Sequence, residues 1–334
     1  MKRNRLNRLL DEKVLESADG GSFDGTVLVA VNGDIVLHEA YGWANRELEA
    51  ASRPDTVYRI GSVTKPLTAA AVMRLAAKGA LRTEDPVAEY VPGFPSGDRI
   101  TLRHLLMHTS GIPNLTEQPS FAEQAKTRRS VDELIALFRG KPLEFEPGSR
   151  FKYSNSGYIL LGKVIEAASG HTYSSYMKEN VFEPAGMSAS GLDDNRSLLQ
   201  KRAAGYEFDA SGMLCNASHI DMSNAFAAGG LYSTAADLYR WDKALRENRL
   251  LPEDIQSDMY QLHNPAGYGY GWFNQSEPDG TVYHHGGING FSSSFVRDLK
   301  RGITVIVLSN TASVTPSVLS GELHKLAVRA DGSR

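Results

Sequence analysis

Thr26-Val27-Leu28-Val29-Ala30-Val31-Asn32-Gly33-Asp34-Ile35-Val36-Leu37 spells out a β-hairpin. Its first half is β-branched and apolar, Asn32-Gly33 tolerates the positive φ angles of a tight hairpin turn, and Ile35–Leu37 returns as the second strand. The far end of the chain mirrors this pattern: Phe291–Arg297 and Ile303–Leu308 read as strands joined around Lys300-Arg301-Gly302. A lone two-stranded hairpin is only marginally stable in water. Two of them, one near each terminus, are therefore expected to merge into one antiparallel sheet. Leu6, Leu9, Leu10 and Val14 recur at helical spacing within residues 3–17, and Val314–Val328 reads as a closing helix. The predicted fold class is α+β, of the α/β sandwich type: an antiparallel sheet built from both chain termini and flanked by helices.

Between these ends the pattern turns helical. Pro66–Lys78 is alanine-rich and stops at Gly79, Thr101–Met107 forms a short helix, and Ser130-Val131-Asp132-Glu133 is a capping box. Gly157–Ala168 supplies Ile159, Leu160, Leu161, Val164 and Ile165 before Ser169-Gly170 ends it. The expected organisation is a sheet-containing domain from residues 1–82 and 222–334, interrupted by a mostly helical insertion over 83–221. A site would lie in the cleft between the two.

The 334 residues carry 36 basic and 39 acidic side chains, a net charge of −3, which points to no nucleic acid and no anionic membrane surface as partner. The single cysteine, Cys215, excludes an internal disulfide and stands in no metal-ligand spacing. No apolar run approaches the roughly 18 residues of a membrane span, and no signal-peptide core opens the sequence. The expected location is cytoplasmic, or exported if a leader precedes this sequence. No metal or cofactor is expected, and the oligomeric state is not legible.

Three short motifs carry chemistry. In Ser62-Val63-Thr64-Lys65 the spacing puts the lysine one helical turn from the serine. A serine hydroxyl needs a base to become a nucleophile, and a lysine serves only when burial depresses its pKa. The plain alternative is a helix cap followed by a solvated lysine, and Ser175-Tyr176-Met177-Lys178 fits the same spacing. Tyr153-Ser154-Asn155 offers a phenol for proton transfer and an amide for a substrate carbonyl, or simply a buried tyrosine followed by a helix cap. His284-His285-Gly286-Gly287 precedes a predicted strand, so only one of its histidines can face a cleft. The glycines would let a substrate pass close to the strand edge, unless the segment is only a glycine-rich surface turn.

The ordered set Ser-x-x-Lys, Tyr-x-Asn and His-x-Gly resembles the penicillin-recognising serine hydrolases, closest to the branch of class C β-lactamases, DD-peptidases and family VIII-type esterases. Ile60–Pro66, Leu105–Ile112, Phe145–Tyr158, Ala228–Thr234 and His284–Phe291 look like signature stretches of that family. The resemblance runs from about Thr26 to Leu308. It implies an acyl-enzyme on Ser62, with Lys65 and Tyr153 sharing the base and acid work in an order left open. Asn155, His284 and Gly286 would bind substrate, and the backbone N–H groups of Ser62 and Gly287 would form the oxyanion hole. His108 looks like a scaffold residue with a satisfied imidazole.

His284 is the departure, because class C β-lactamases carry Lys-Thr-Gly there. A histidine of ordinary pKa, about 6.5, would gain charge between about pH 8 and 6 and so tune the site toward anionic substrates. The implied substrate is a small ester, amide or D-amino-acid peptide, with weak β-lactam turnover. The alternative is a slow or non-catalytic acyl sensor that keeps the pocket. Tyr268–Phe273, rich in aromatics and glycine, reads as an edge strand or as a cleft wall, with the strand preferred.

Overall fold

The computed structural model describes residues 2–18, 23–275, 280–313 and 315–331. Six of its strands form one antiparallel sheet: β1 (Gly25–Val31), β2 (Asp34–Tyr41), β3 (Phe273–Gln275), β4 (Thr281–Ile288), β5 (Phe291–Asp298) and β6 (Ile303–Ser309). Their order across the sheet is β3-β4-β5-β6-β1-β2. The two terminal hairpins are thus stitched together where β1 runs against β6, from Gly25 opposite Ser309 to Val31 opposite Ile303.

Side-chain alternation explains why the central strands read as unbroken apolar runs. Val27, Val29 and Val31 of β1, with Ile303, Val305 and Val307 of β6, face one side. There they pack on Leu6, Leu10 and Val14 of α1 (Lys2–Ala18) and on Leu319 and Leu323 of α5 (Thr315–Asp331). The expected helix start at Val314 lies outside the described residues. Leu28, Ile306 and Leu308 face the opposite side and join the larger core. A strand covered on both faces has no polar positions to alternate with.

That second face carries the helices that matter for function. α2 (Thr64–Ala77), α3 (Val131–Arg139) and α4 (Asn155–Ser169) lie there, α3 packed on α4 and α4 on α2. Helix α2 is buried from Thr64 to Met73, which its run of small side chains permits. Leu67 in α2 and Leu160 in α4 are fully buried; each such leucine contributes about 1.5–3 kcal/mol of apolar burial. The capping box expected at Ser130 is formed by Ser130 and Glu133. Tyr268–Trp272, read as a strand, is instead a buried turn crossed by an isolated bridge from Tyr268 to Phe273, and the strand begins only at Phe273. Gly271 takes a φ of +81°, which breaks the extended backbone there. No helix among the described residues is long and apolar enough to cross a membrane.

Candidate active site

A tight turn, Gly61–Val63, delivers Ser62 to the N-terminal end of α2. The turn is wedged between the helical layer and the sheet. The Ile60 N–H donates to the Leu231 carbonyl (3.0 Å), and the Ile60 carbonyl accepts from Ser293 Oγ of β5 (2.8 Å). Gly61 holds a φ of +50° and runs so close to β4 that a Cβ there would stand 2.8 Å from the Gly287 nitrogen. Only glycine fits that conformation and that gap.

One turn along α2, Lys65 is completely buried. Its side-chain nitrogen donates to Asn155 Oδ1 (2.7 Å) and the Ala228 carbonyl (2.7 Å) and lies 3.0 Å from Ser62 Oγ, to which it donates when charged and from which it accepts when neutral. Two rings flank it, Tyr153 with its centroid at 4.8 Å and Tyr158 at 5.6 Å. Burial alone drives its pKa well below the usual lysine value. The neighbouring phenol moves the other way. Burial raises the Tyr153 pKa, against a smaller opposing pull from a hydrogen bond with Ser62. The buried pair therefore holds an amine made easier to deprotonate beside a phenol made harder.

His108 and Tyr268 support this pair from behind. The His108 ring lies 4.2 Å from that of Tyr153, centroid to centroid, and its Nδ1 accepts from the Ser154 N–H (3.1 Å). The scaffold role expected of His108 fits its position, at a φ of +58° in a tight turn. Its imidazole, however, is satisfied only at Nδ1, and the buried Nε2 has no partner among the described residues.

The third motif departs further from expectation. His284 does point to the Lys65 side of the sheet, with its ring centroid 6.3 Å from that of Tyr153, whereas His285 turns away to Ser294 Oγ (3.0 Å). Yet His284 is 1% exposed and does not line the pocket. Its Nδ1–H donates to the His285 carbonyl (2.7 Å), because a carbonyl can only accept, so Nε2 accepts from the Tyr268 hydroxyl (3.1 Å). Burial, reinforced by the Lys65 charge, lowers its pKa to about 3. The expected charge switch is thereby corrected: His284 stays neutral throughout the physiological range. Accordingly, preference between a carboxylate-bearing and a neutral ester should not change through His284 between about pH 8 and 6. Initial rates on the matched pair test this; a preference that shifts with a midpoint near 6.5 and disappears in His284→Asn would restore the switch.

Gly286 has a packing reason to be glycine. A Cβ there would lie 2.1 Å from the Ile60 carbonyl oxygen and 2.3 Å from Ser293 Oγ. The side of Gly286 that a Cβ would occupy is thus taken up by the Ser62 turn, which lets β4 approach it closely. Gly287 faces open space, with nothing within 4 Å of an added Cβ.

A cavity of about 270 Å³ opens above these groups, lined by Ser62, Asn155, Gly287 and the apolar side chains of Phe121, Ile220 and Ile288. Thr116 and Asn289 also line it, and neither was singled out from the sequence. Thr116 sits in a single helical turn, Leu115–Glu117, and Asn289 in the turn after β4, where no spacing rule marks a residue. The second serine–lysine pair does not assemble. Lys178 is exposed and sits 3.8 Å from Glu183, while Ser175 bonds Thr172.

Known proteins share this arrangement at the level of the whole chain. The Beta-lactamase family model matches residues 10–329. A penicillin-binding protein of Bacillus subtilis is 32% identical over 333 residues, covering 93% of this chain and 73% of its own. The crystal structure of a penicillin-binding protein from Bacillus halodurans superposes with a TM-score of 0.85 at 28% identity, over 93% of this chain and 98% of that one. A D-stereospecific amidohydrolase from a Streptomyces species gives 0.81 at 27% identity, over 94% and 97%. With the family pattern spanning nearly every residue and the fold reproduced throughout, the chain belongs to the β-lactamase family of penicillin-binding-protein-like serine hydrolases.

Proposed function

We propose that the protein hydrolyses small neutral esters or amides through an acyl-Ser62 intermediate. The observation that carries this reading is the fully buried Lys65 amine, 3.0 Å from the Oγ of Ser62, which lines the pocket. In its neutral form that amine takes the Ser62 proton as Oγ bonds the substrate carbonyl carbon. The oxyanion formed sits between the N–H groups of Ser62 and Gly287. As the tetrahedral intermediate collapses, the bond to the leaving group breaks. The Tyr153 phenol, which burial keeps protonated, gives its proton to the leaving group and regains one from Lys65. Water then attacks the acyl carbon with the same groups moving its proton, which releases the acid and restores Ser62.

Neutral substrates fit best because the pocket's side chains are apolar or uncharged and His284 is held neutral. The similar Streptomyces protein is named an amidohydrolase, which agrees with acyl transfer to water. Steady hydrolysis of p-nitrophenyl acetate or butyrate, far exceeding that of nitrocefin, is the expected result. A burst that stops at one equivalent would favour the acyl sensor instead, and nitrocefin turnover matching the esters would refute the preference for neutral substrates.

A further inference from the structure

Helix α4 begins at Asn155, so the Asn155 N–H is one of the helix's unpaired first donors. It donates to Asn114 Oδ1 (3.0 Å). A backbone N–H can only donate, so the Asn114 atom facing it is the oxygen and the other end of that amide is NH₂. That NH₂ donates to Glu117 Oε1 (3.1 Å), which can only accept as a carboxylate. The Thr116 hydroxyl lies between the two asparagines and donates its one proton to the same Asn114 oxygen (3.1 Å). Its lone pairs then face Asn155, and Asn155 Nδ2 donates to them (2.9 Å). The amide of Asn155 is thereby oriented, with Oδ1 toward Lys65.

From this chain of one-way bonds we propose that Asn114 and Thr116 are positioning residues, which fix the orientation of the Asn155 amide and through it the Lys65 amine. The proposal rests on the acyl-Ser62 reading. A flipped Asn155 would point NH₂ at the lysine and lose its 2.7 Å bond. The amine would keep the Ala228 carbonyl but lose the side-chain carbonyl that takes its second hydrogen. Asn155 Nδ2 has a second hydrogen beyond the one given to Thr116, and in the fixed orientation that hydrogen is left for a substrate carbonyl. Asn114 is buried and Thr116 exposed at the pocket wall, so the orientation is set by a buried amide and passed on by a surface hydroxyl.

Two substitutions at Thr116 separate positioning from packing, because each removes what the other keeps. Thr116→Val keeps the shape and loses the hydroxyl; Thr116→Ser keeps the hydroxyl and loses a methyl group. The measurement is the second-order rate of Ser62 acylation by a fluorophosphonate, together with kcat and KM on p-nitrophenyl butyrate. Thr116→Val should acylate about tenfold more slowly, the scale of one lost hydrogen bond, with the loss in kcat rather than KM. Thr116→Ser should stay within about twofold of wild type. Wild-type rates in Thr116→Val, or a larger loss in Thr116→Ser than in Thr116→Val, would overturn the proposal. Both variants keep a β-branched or smaller side chain at an exposed position, and equal melting temperatures confirm that folding is unchanged. Should the wild-type protein itself resist acylation at Ser62, the acyl-enzyme reading falls first, and this proposal falls with it.

Discussion

A fluorophosphonate should label the wild-type protein once, on the peptide containing Ser62, and Ser62→Ala should lose both the label and nearly all ester turnover. The expected loss is about 10⁴-fold or more, because removing the nucleophile of an acyl-transfer enzyme leaves only binding and oxyanion stabilisation. The control is internal. Ser175 has the same spacing to a lysine, yet Lys178 lies in solvent beside Glu183. Ser175 instead bonds Thr172 and has no lysine partner among its hydrogen bonds. Ser175→Ala should therefore label and turn over like wild type. Mass-spectrometric mapping of the labelled peptide decides the matter, and a label at Ser175, or on no serine, would rule out the mechanism.

Lys65→Met should lower ester turnover by at least about a hundredfold, the smallest contribution usual for a positioned general base. The same substitution has a second signature, in stability. Ordinary lysine titrates near 10.5, and burial holds Lys65 well below that. As pH falls through 10.5, the unfolded chain takes up a proton that the folded chain refuses until its own lower pKa is reached. The native state loses stability across that window and no more beneath it. Methionine binds no proton in either state. The melting temperature of Lys65→Met, relative to wild type, should therefore rise as the pH is lowered from about 10 to 7. A difference that does not vary with pH would show that Lys65 is charged when folded, and it could not then be the base that deprotonates Ser62.

The parts of this fold that sequence revealed are those governed by near neighbours. Asn32-Gly33 marks a hairpin because two adjacent residues must accept positive φ, and Ser130 caps α3 because Glu133 lies three residues on. Ser62 and Lys65 are legible for the same reason, being one helical turn apart. His284 shows where this logic ends. Its place on the strand is readable from alternation, but its charge depends on the depth of burial, on Lys65 and on the carbonyl of His285. The close packing of Gly286 is invisible in the sequence because its neighbour, Ile60, lies more than two hundred residues earlier. Asn114 and Thr116 were not noticed at all. An asparagine and a threonine at a short helical turn look like any other, and their meaning appears only when α4 brings Asn155 against them.

The pairing of β1 with β6 has a consequence for how the molecule is made. On the ribosome β1 is synthesised well before the strand that completes its outer edge, residues 303–309, which follows only after β2 to β5. Until then Val27 and Val29 lack the cover of α5, and one row of β1 backbone donors and acceptors is unpaired. Such an edge invites association with other chains. Gly287, on β4, likewise reaches the Ser62 turn only after the more than two hundred residues between them have been made. On the proposed mechanism, the nascent chain carries Ser62 through that interval without the Gly287 N–H that would complete its oxyanion site.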